Sequence, residues 1–374
     1  KGDLDGDGDV DLVAGYRLGW FENLGVSGFG IRQAVIDTLG GFSNARIADV
    51  DDDGDNDVIY RNSSLGILWS PNDGTGNFEP AQFIVEGEPF ELADLDGHGD
   101  DDLVLMPWNE VEWLQNQGGG LFDPPQVLIT GVNNTGSMQL ADLNGDGTID
   151  VLLTLSVGNE LRWYANDGQA EFTLQQTIDL EAGRIQVSDI DEDGDTDVIT
   201  SGSLSTVDWY ENDGTGQLSG PHFIMDWAST SQQRFEFFDF DQDGDQDVFM
   251  AHHDDDFIGL AINDGTGVFA WPEILPFPVD GPVWVGSADL DNDGDADLIT
   301  SSIEDSKLAW YKNYYNSPYS IGGALFHDEN GDGTRQAGEA GLPWLPVHCD
   351  PQLTTPYTDT AGTYSFNLDS GWYT

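Results

Sequence analysis

The residues best placed to do chemistry are carboxylates, and they recur in one spacing, Asp-x-Asp-x-Asp-Gly-x-x-Asp. Five copies are complete and carry a further Asp at the seventh position. They are Asp3, Asp5, Asp7, Asp9 and Asp11; Asp49, Asp51, Asp53, Asp55 and Asp57; Asp189, Asp191, Asp193, Asp195 and Asp197; Asp239, Asp241, Asp243, Asp245 and Asp247; and Asp289, Asp291, Asp293, Asp295 and Asp297. Two copies depart from the pattern. In one, Asp94, Asp96, Asp100 and Asp102 surround His98, which stands where the third Asp would be. In the other, Asp142, Asn144, Asp146, Thr148 and Asp150 carry an amide at the third position.

A tight loop of this spacing turns side chains 1, 3, 5 and 9 toward one centre, offers a main-chain carbonyl at 7, and needs glycine at 6 for the bend. Hard oxygen donors in that number suit calcium, whereas magnesium demands stricter octahedral geometry and keeps more of its water. Two carboxylates about 4 Å apart repel by about 4 kcal/mol at an effective dielectric of about 20, so several in one loop call for a cation. Half of the 70 acidic residues fall inside these seven windows. The expected cofactor is therefore Ca2+, at about six to eight ions per chain. The His98 copy should be weakened or empty, and the Asn144 copy merely less charged.

Successive copies start 45 to 50 residues apart, a period that fits a four-stranded propeller blade. A second phrase follows each acidic one. Trp20, Trp69, Trp113, Trp163, Trp209 and Trp310, with Leu260 in the sixth copy, each stand three residues before an Asn. Four of these asparagines open an Asn-Asp-Gly turn, as Asn212-Asp213-Gly214 does, and that is a hairpin signal. In the second repeat, strands are expected over 44–50, 58–61, 67–72 and 78–85, with the acidic loop and the turn at 73–77 between them. The large apolar residue of the second phrase reads as packing between stacked sheets. The fold class expected is all-β, a seven-bladed β-propeller over residues 1–316. The first repeat lacks an opening strand and the last a clear fourth one, so residues upstream of Lys1 are expected to complete the ring.

These loops and their period resemble the FG-GAP or VCBS-type repeats of integrin α-subunit propellers, some fungal sugar-binding propellers and many bacterial surface proteins. The resemblance covers roughly residues 1–316. It implies a seven-bladed propeller with structural calcium loops between the first and second strands of its blades, and it implies no single activity.

Beyond Pro318 the period stops. Asp328, Asn330, Asp332, Thr334 and Glu339 have EF-hand loop spacing, but 321–326 and 363–367 read as strands rather than helices. This stretch looks like the calcium-binding B-type repeats of bacterial cell-wall adhesins. The resemblance implies a small immunoglobulin-like β-sandwich over 317–374, running past Thr374.

Composition narrows the partners. The chain has 11 Lys and Arg against 70 Asp and Glu, a formal net charge of −59, which repels nucleic acid and bare anionic membrane. Its 38% hydrophobic content can fill a sizeable core, and one cysteine, Cys349, permits no internal disulfide. No apolar run of about 18 residues would insert in a membrane, and no signal-peptide pattern is seen. Three residues break the repeat on the side opposite the acidic loops: Trp108, a possible sugar-stacking surface, and His252 and His253, a possible ligand site. No Ser-His-Asp set, zinc motif or phosphate loop is present, which argues against an enzyme. The expectation is a calcium-stabilised protein at an extracellular or bacterial cell-surface location. It would act in adhesion or in a matrix or fibre, with a protein, a glycan or its own copies as partner. The alternative is a lectin-like propeller, and a calcium-dependent hydrolase comes third.

Overall fold

The residues that follow each acidic loop form short apolar runs, such as Asp57-Val-Ile-Tyr60 and Asp150-Val-Leu-Leu-Thr-Leu155, with no polar face. A strand of that kind must be covered on both sides. In the computed structural model it is. Residues 1–313 are described apart from 16, 26–27, 37–40, 88–89, 134, 181–182, 202–205, 227–233, 276–278 and 306, and beyond them 320–324, 342 and 363–367. The described residues contain no helix, and the strands within residues 1–313 form seven antiparallel sheets in chain order, a seven-bladed β-propeller.

The second blade shows the plan. Its strands are Phe42–Ala48, Asp57–Asn62, Gly66–Ser70 and Gln82–Val85, each paired with the next. The fourth strand begins at Gln82 rather than at Phe78, as expected from the sequence. Phe78 makes only an isolated bridge to Asn72, and Pro80 has no N–H to give a ladder. Blades three to six repeat this four-stranded order, while the first and seventh each have three described strands.

The core lies between the blades rather than within any one of them. Ile59, Ile67 and Trp69 of blade two pack with Phe90, Leu103 and Leu114 of blade three, and Ile199 and Trp209 of blade five with Phe235, Val248 and Met250 of blade six. Leu12 of blade one clusters with Leu290 and Ile299 of blade seven, so the ring closes on itself. Each sheet is therefore half of two cores and stable only beside its neighbours. The first strands face a central channel of about 620 Å³, with Gln139, Arg184, Gln186 and Trp284 among its lining residues. There Arg46 and Glu91 pair at 2.6 Å.

By its internal contacts the chain divides into Lys1–Asp239 with Gly244–Tyr311, and Phe240–Asp243 with Lys312–Thr374. In the second of these units, Ser320–Ala324 and Thr363–Asn367 pair as an antiparallel two-stranded sheet. Asp328, Asn330, Asp332, Thr334, Glu339 and Cys349, and with them the immunoglobulin-like module, lie outside the described residues.

Candidate metal centre

In blades two to seven the acidic loop joins the first strand to the second, and its ninth residue is the first residue of that second strand; in blade one Asp11 bridges to Gly2 and directly precedes the strand Leu12–Ala14. Asp11, Asp57, Asp102, Asp150, Asp197, Asp247 and Asp297 are all buried. Their carboxylates organise the loops. In blade two, Asp57 Oδ2 accepts the Val50 N–H at 3.1 Å and Oδ1 accepts the Asn72 N–H at 2.7 Å. The same pair recurs at Asp11, Asp102, Asp150 and Asp197. The first Asp accepts loop N–H groups in turn: Gly54 donates to Asp49 at 3.0 Å and Gly194 to Asp189 at 3.1 Å. The glycine at position 6 has φ between 87° and 110° in all seven copies. Position 4 is left-handed too, even where it is Asp52, Glu192, Gln242 or Asn292, at φ near 60°. Two left-handed residues in one short loop fold it tightly enough to bring the carboxylates together.

The oxygens converge. One carboxylate oxygen each from Asp3, Asp5 and Asp11 lies within 4.8 Å of the others, as in the sets Asp49, Asp51, Asp53; Asp94, Asp96, Asp102; Asp189, Asp191, Asp197; and Asp239, Asp241, Asp243. Oxygens that close can all reach one cation at about 2.4 Å, the calcium–oxygen distance. Buried oxygens of Asp51, Asp189, Asp191, Asp239 and Asp295 meet no hydrogen-bond donor. A buried carboxylate oxygen without a donor is costly unless a cation meets it. Burial pushes Asp11 up to about 6 and Asp57, Asp102 and Asp197 up to about 7, against the backbone N–H groups that lower them. Burial and the charge of Asp293 push Asp295 to about 7. The donor set fits calcium: positions 1, 3, 5 and 9 would hold the ion, which would supply the missing positive charge.

The two departing loops behave differently. In the third, the His98 ring sits against Asp96 with Nδ1 2.5 Å from its carboxylate, and Gln115 Nε2 also donates to Asp96. Asp96 in turn raises the His98 pKa. This loop places an imidazole against a carboxylate where the other loops have none. In the fourth, Asn144 Oδ1 accepts the Asp146 N–H at 3.0 Å, and Thr148 Oγ1 donates to Asp146 at 2.6 Å.

The asparagines of the second phrase do work that their sequence reading as turn residues missed. Asn72 Nδ2 donates to the Leu4 carbonyl in the preceding blade's acidic loop at 2.7 Å, and the bond recurs from Asn116 to Val50, Asn166 to Leu95, Asn212 to Leu143 and Asn263 to Ile190. Asn313 donates to Phe240 in the same way. Asn23 donates to Leu290 at 3.0 Å and ties the first blade to the last. All seven asparagines are buried. A signal was available, since the Asn recurs even at Asn23 and Asn313, where no Asp-Gly follows.

The other candidates are dispersed. Trp108 lies in the turn between the second and third strands of blade three and is 70% exposed. His252 is buried and stacked on Phe257 at 4.5 Å, so of the histidine pair only His253, beside Asp254, reaches the surface.

A family model described as FG-GAP-like repeat matches residues 94–153, 189–250 and 239–300, each match beginning on the first Asp of an acidic loop. Those residues carry FG-GAP-like repeats. No curated protein matches the sequence. Among solved structures, a lectin from Burkholderia pseudomallei has a TM-score of 0.64 at 12% identity, covering 84% of this chain and 96% of its own. An Agrocybe aegerita lectin described as recognising non-reducing terminal N-acetylglucosamine has a TM-score of 0.58 at 23% identity, covering 73% of this chain and 78% of its own. At such identities the likeness is one of fold.

Proposed function

We propose that the protein is a calcium-locked propeller that works outside the cell, as an adhesive or structural component of a surface or matrix, and that it binds and builds rather than catalyses. The observation that carries this reading is the set of buried, donorless carboxylate oxygens that converge within the repeated loops. Through Asn72 and its counterparts each blade is hydrogen-bonded to the loop before it. Calcium in one loop therefore stiffens two blades, and a ring of loaded loops makes a rigid platform.

Several features support the location. Extracellular calcium modules bind at about 10⁻⁴ to 10⁻³ M, a range met outside cells rather than in the cytosol. Among the described residues no helix is long and apolar enough to cross a membrane. A net charge of −59 keeps the platform soluble and turns away polyanions, leaving proteins, neutral glycans or further copies joined through bound cations as partners. Calcium titration of chelator-treated protein by calorimetry tests the reading. About six to eight ions should bind, with magnesium a poor substitute; binding of magnesium and calcium alike, or of neither, would overturn it.

A further inference from the structure

One rim of the propeller departs from the repeat in a way that the loops do not explain. The outer strand of blade five, Leu218–Asp226, faces the segment that leads into the outer strand of blade six, and between them lies a cavity of about 500 Å³. Volumes of about 300–1,000 Å³ are usual for small-ligand sites. Trp271, Phe223 and Val268 line it at 85%, 56% and 61% exposure, although side chains of that kind are ordinarily withdrawn from water. His222 stands at its edge, its ring 4.8 Å from that of Trp209 and its Nε2 3.6 Å from Glu211 Oε2.

The other rims are not built this way. Opposite the core tryptophans Trp69, Trp113 and Trp163 the outer strands place Gln82, Gln126 and Gln176, where blade five places His222 opposite Trp209. Two residues beyond the aromatic that follows the turn, blades two, three and four have Pro80, Pro124 and Leu174, where blade six has Trp271. Core packing does not account for an indole left 85% in solvent.

We propose that the rim between blades five and six binds a neutral pyranose of a glycan, the sugar's apolar face lying on Trp271 and Phe223 and its hydroxyls meeting His222 and Glu211. An open aromatic wall with a few polar groups at one edge suits a sugar ring, which has an apolar face and a polar perimeter. The charge decides which sugars. His222 is the one titratable residue of the lining, no Lys or Arg stands among it, and the chain's net charge is −59, so uronic and sialic acids are repelled. This specifies the carbohydrate reading of the sequence and does not depend on the loops holding calcium.

The test uses the full chain in calcium, with free glucose, galactose, mannose and N-acetylglucosamine, and glucuronate as the acidic control. Binding is followed by saturation-transfer NMR and tryptophan fluorescence. At least one neutral sugar should bind and glucuronate should not. Trp271→Ala should weaken binding about tenfold or more and Phe223→Ala by less, while Ile31→Ala, equally exposed on blade one, leaves it unchanged. Trp271 touches too little of the core for its loss to unfold the protein, and melting of each variant beside wild type checks this. No binding of any neutral sugar, wild-type binding by Trp271→Ala, preference for glucuronate, or loss on Trp108→Ala instead would overturn the proposal. Because melting is recorded on the same samples, such a failure is separable from failure of the calcium scaffold.

Discussion

The third and fifth acidic loops share a backbone and differ in what meets their carboxylates. Both start with an Asp that takes the position 6 N–H, and both end on a buried Asp that accepts two backbone N–H groups. In the fifth, buried oxygens of Asp189 and Asp191 meet no donor. In the third, Asp96 is engaged by His98 and Gln115. The shape of the loop thus comes from Asp-to-backbone bonds that every copy makes, whereas the need for a cation comes from the carboxylates left over. On the proposed reading, one loop could go without a metal and keep its place in the ring.

The largest expected effects separate these two roles. Asp197→Ala and Asp102→Ala each strip a buried acceptor from two backbone N–H groups, so each should lower stability in chelator by about 3 kcal/mol, read by denaturant unfolding. Only Asp197→Ala should also shrink the gain on adding calcium. Equal losses of that gain would mean that the third loop is loaded as well. Next in size is a pH effect. Asp57, Asp102 and Asp197 have pKa values near 7 when folded against an ordinary 3.8, so the unfolded chain holds fewer protons between those limits. Chelator-treated protein should therefore lose stability as pH rises from about 4 to 7, and calcium should reverse the trend. Thermal melts at pH 5 and pH 7.5 with and without calcium would show it; a chelated protein firmer at pH 7.5 would contradict it.

His98→Asp sharpens the comparison from the other side. It should add about one calcium ion per chain by metal analysis and, at about a hundredfold excess over Kd, up to about 2.7 kcal/mol of stability. The same variant should be weaker than wild type in chelator. The smallest effect concerns the turns. Gly76, Gly120, Gly216 and Gly267 each abut the tryptophan of the blade before, a β-carbon there falling 2.1–2.2 Å from the ring. Blade four instead has Ala170 at φ 59°, packed in the cluster of Trp113. Ala170→Gly should stabilise by about 0.5 kcal/mol as the left-handed strain is relieved.

The propeller was legible because its period is written twice per blade, once in the Asp loops and once in the Trp and Asn phrase. The tight acidic loops were legible for the same reason, and so was His98 as the residue that breaks the pattern in the third, where it lies against Asp96. What stayed hidden was non-local. The side chain of Asn72 reaches a carbonyl 68 residues back, a bond that spacing within one repeat does not express. The dual role of Asp57, an acceptor for Val50 and Asn72 as well as a candidate ligand, is likewise a matter of burial. Trp271 was overlooked because it sits in a variable segment, and only alignment of the seven repeats marks it as the aromatic at that position.

Metal analysis of the purified chain beside thermal unfolding in calcium and in excess chelator tests the central claim most directly. About six to eight bound calcium ions, and a melting temperature lower by more than about 10 °C in chelator, are the expected result, since each loaded site contributes up to about 2.7 kcal/mol at a hundredfold excess over Kd and 1 kcal/mol moves a domain of 150–250 residues by about 2–4 °C. No bound metal and coincident melts would mean that the acidic loops are held by their backbone bonds alone.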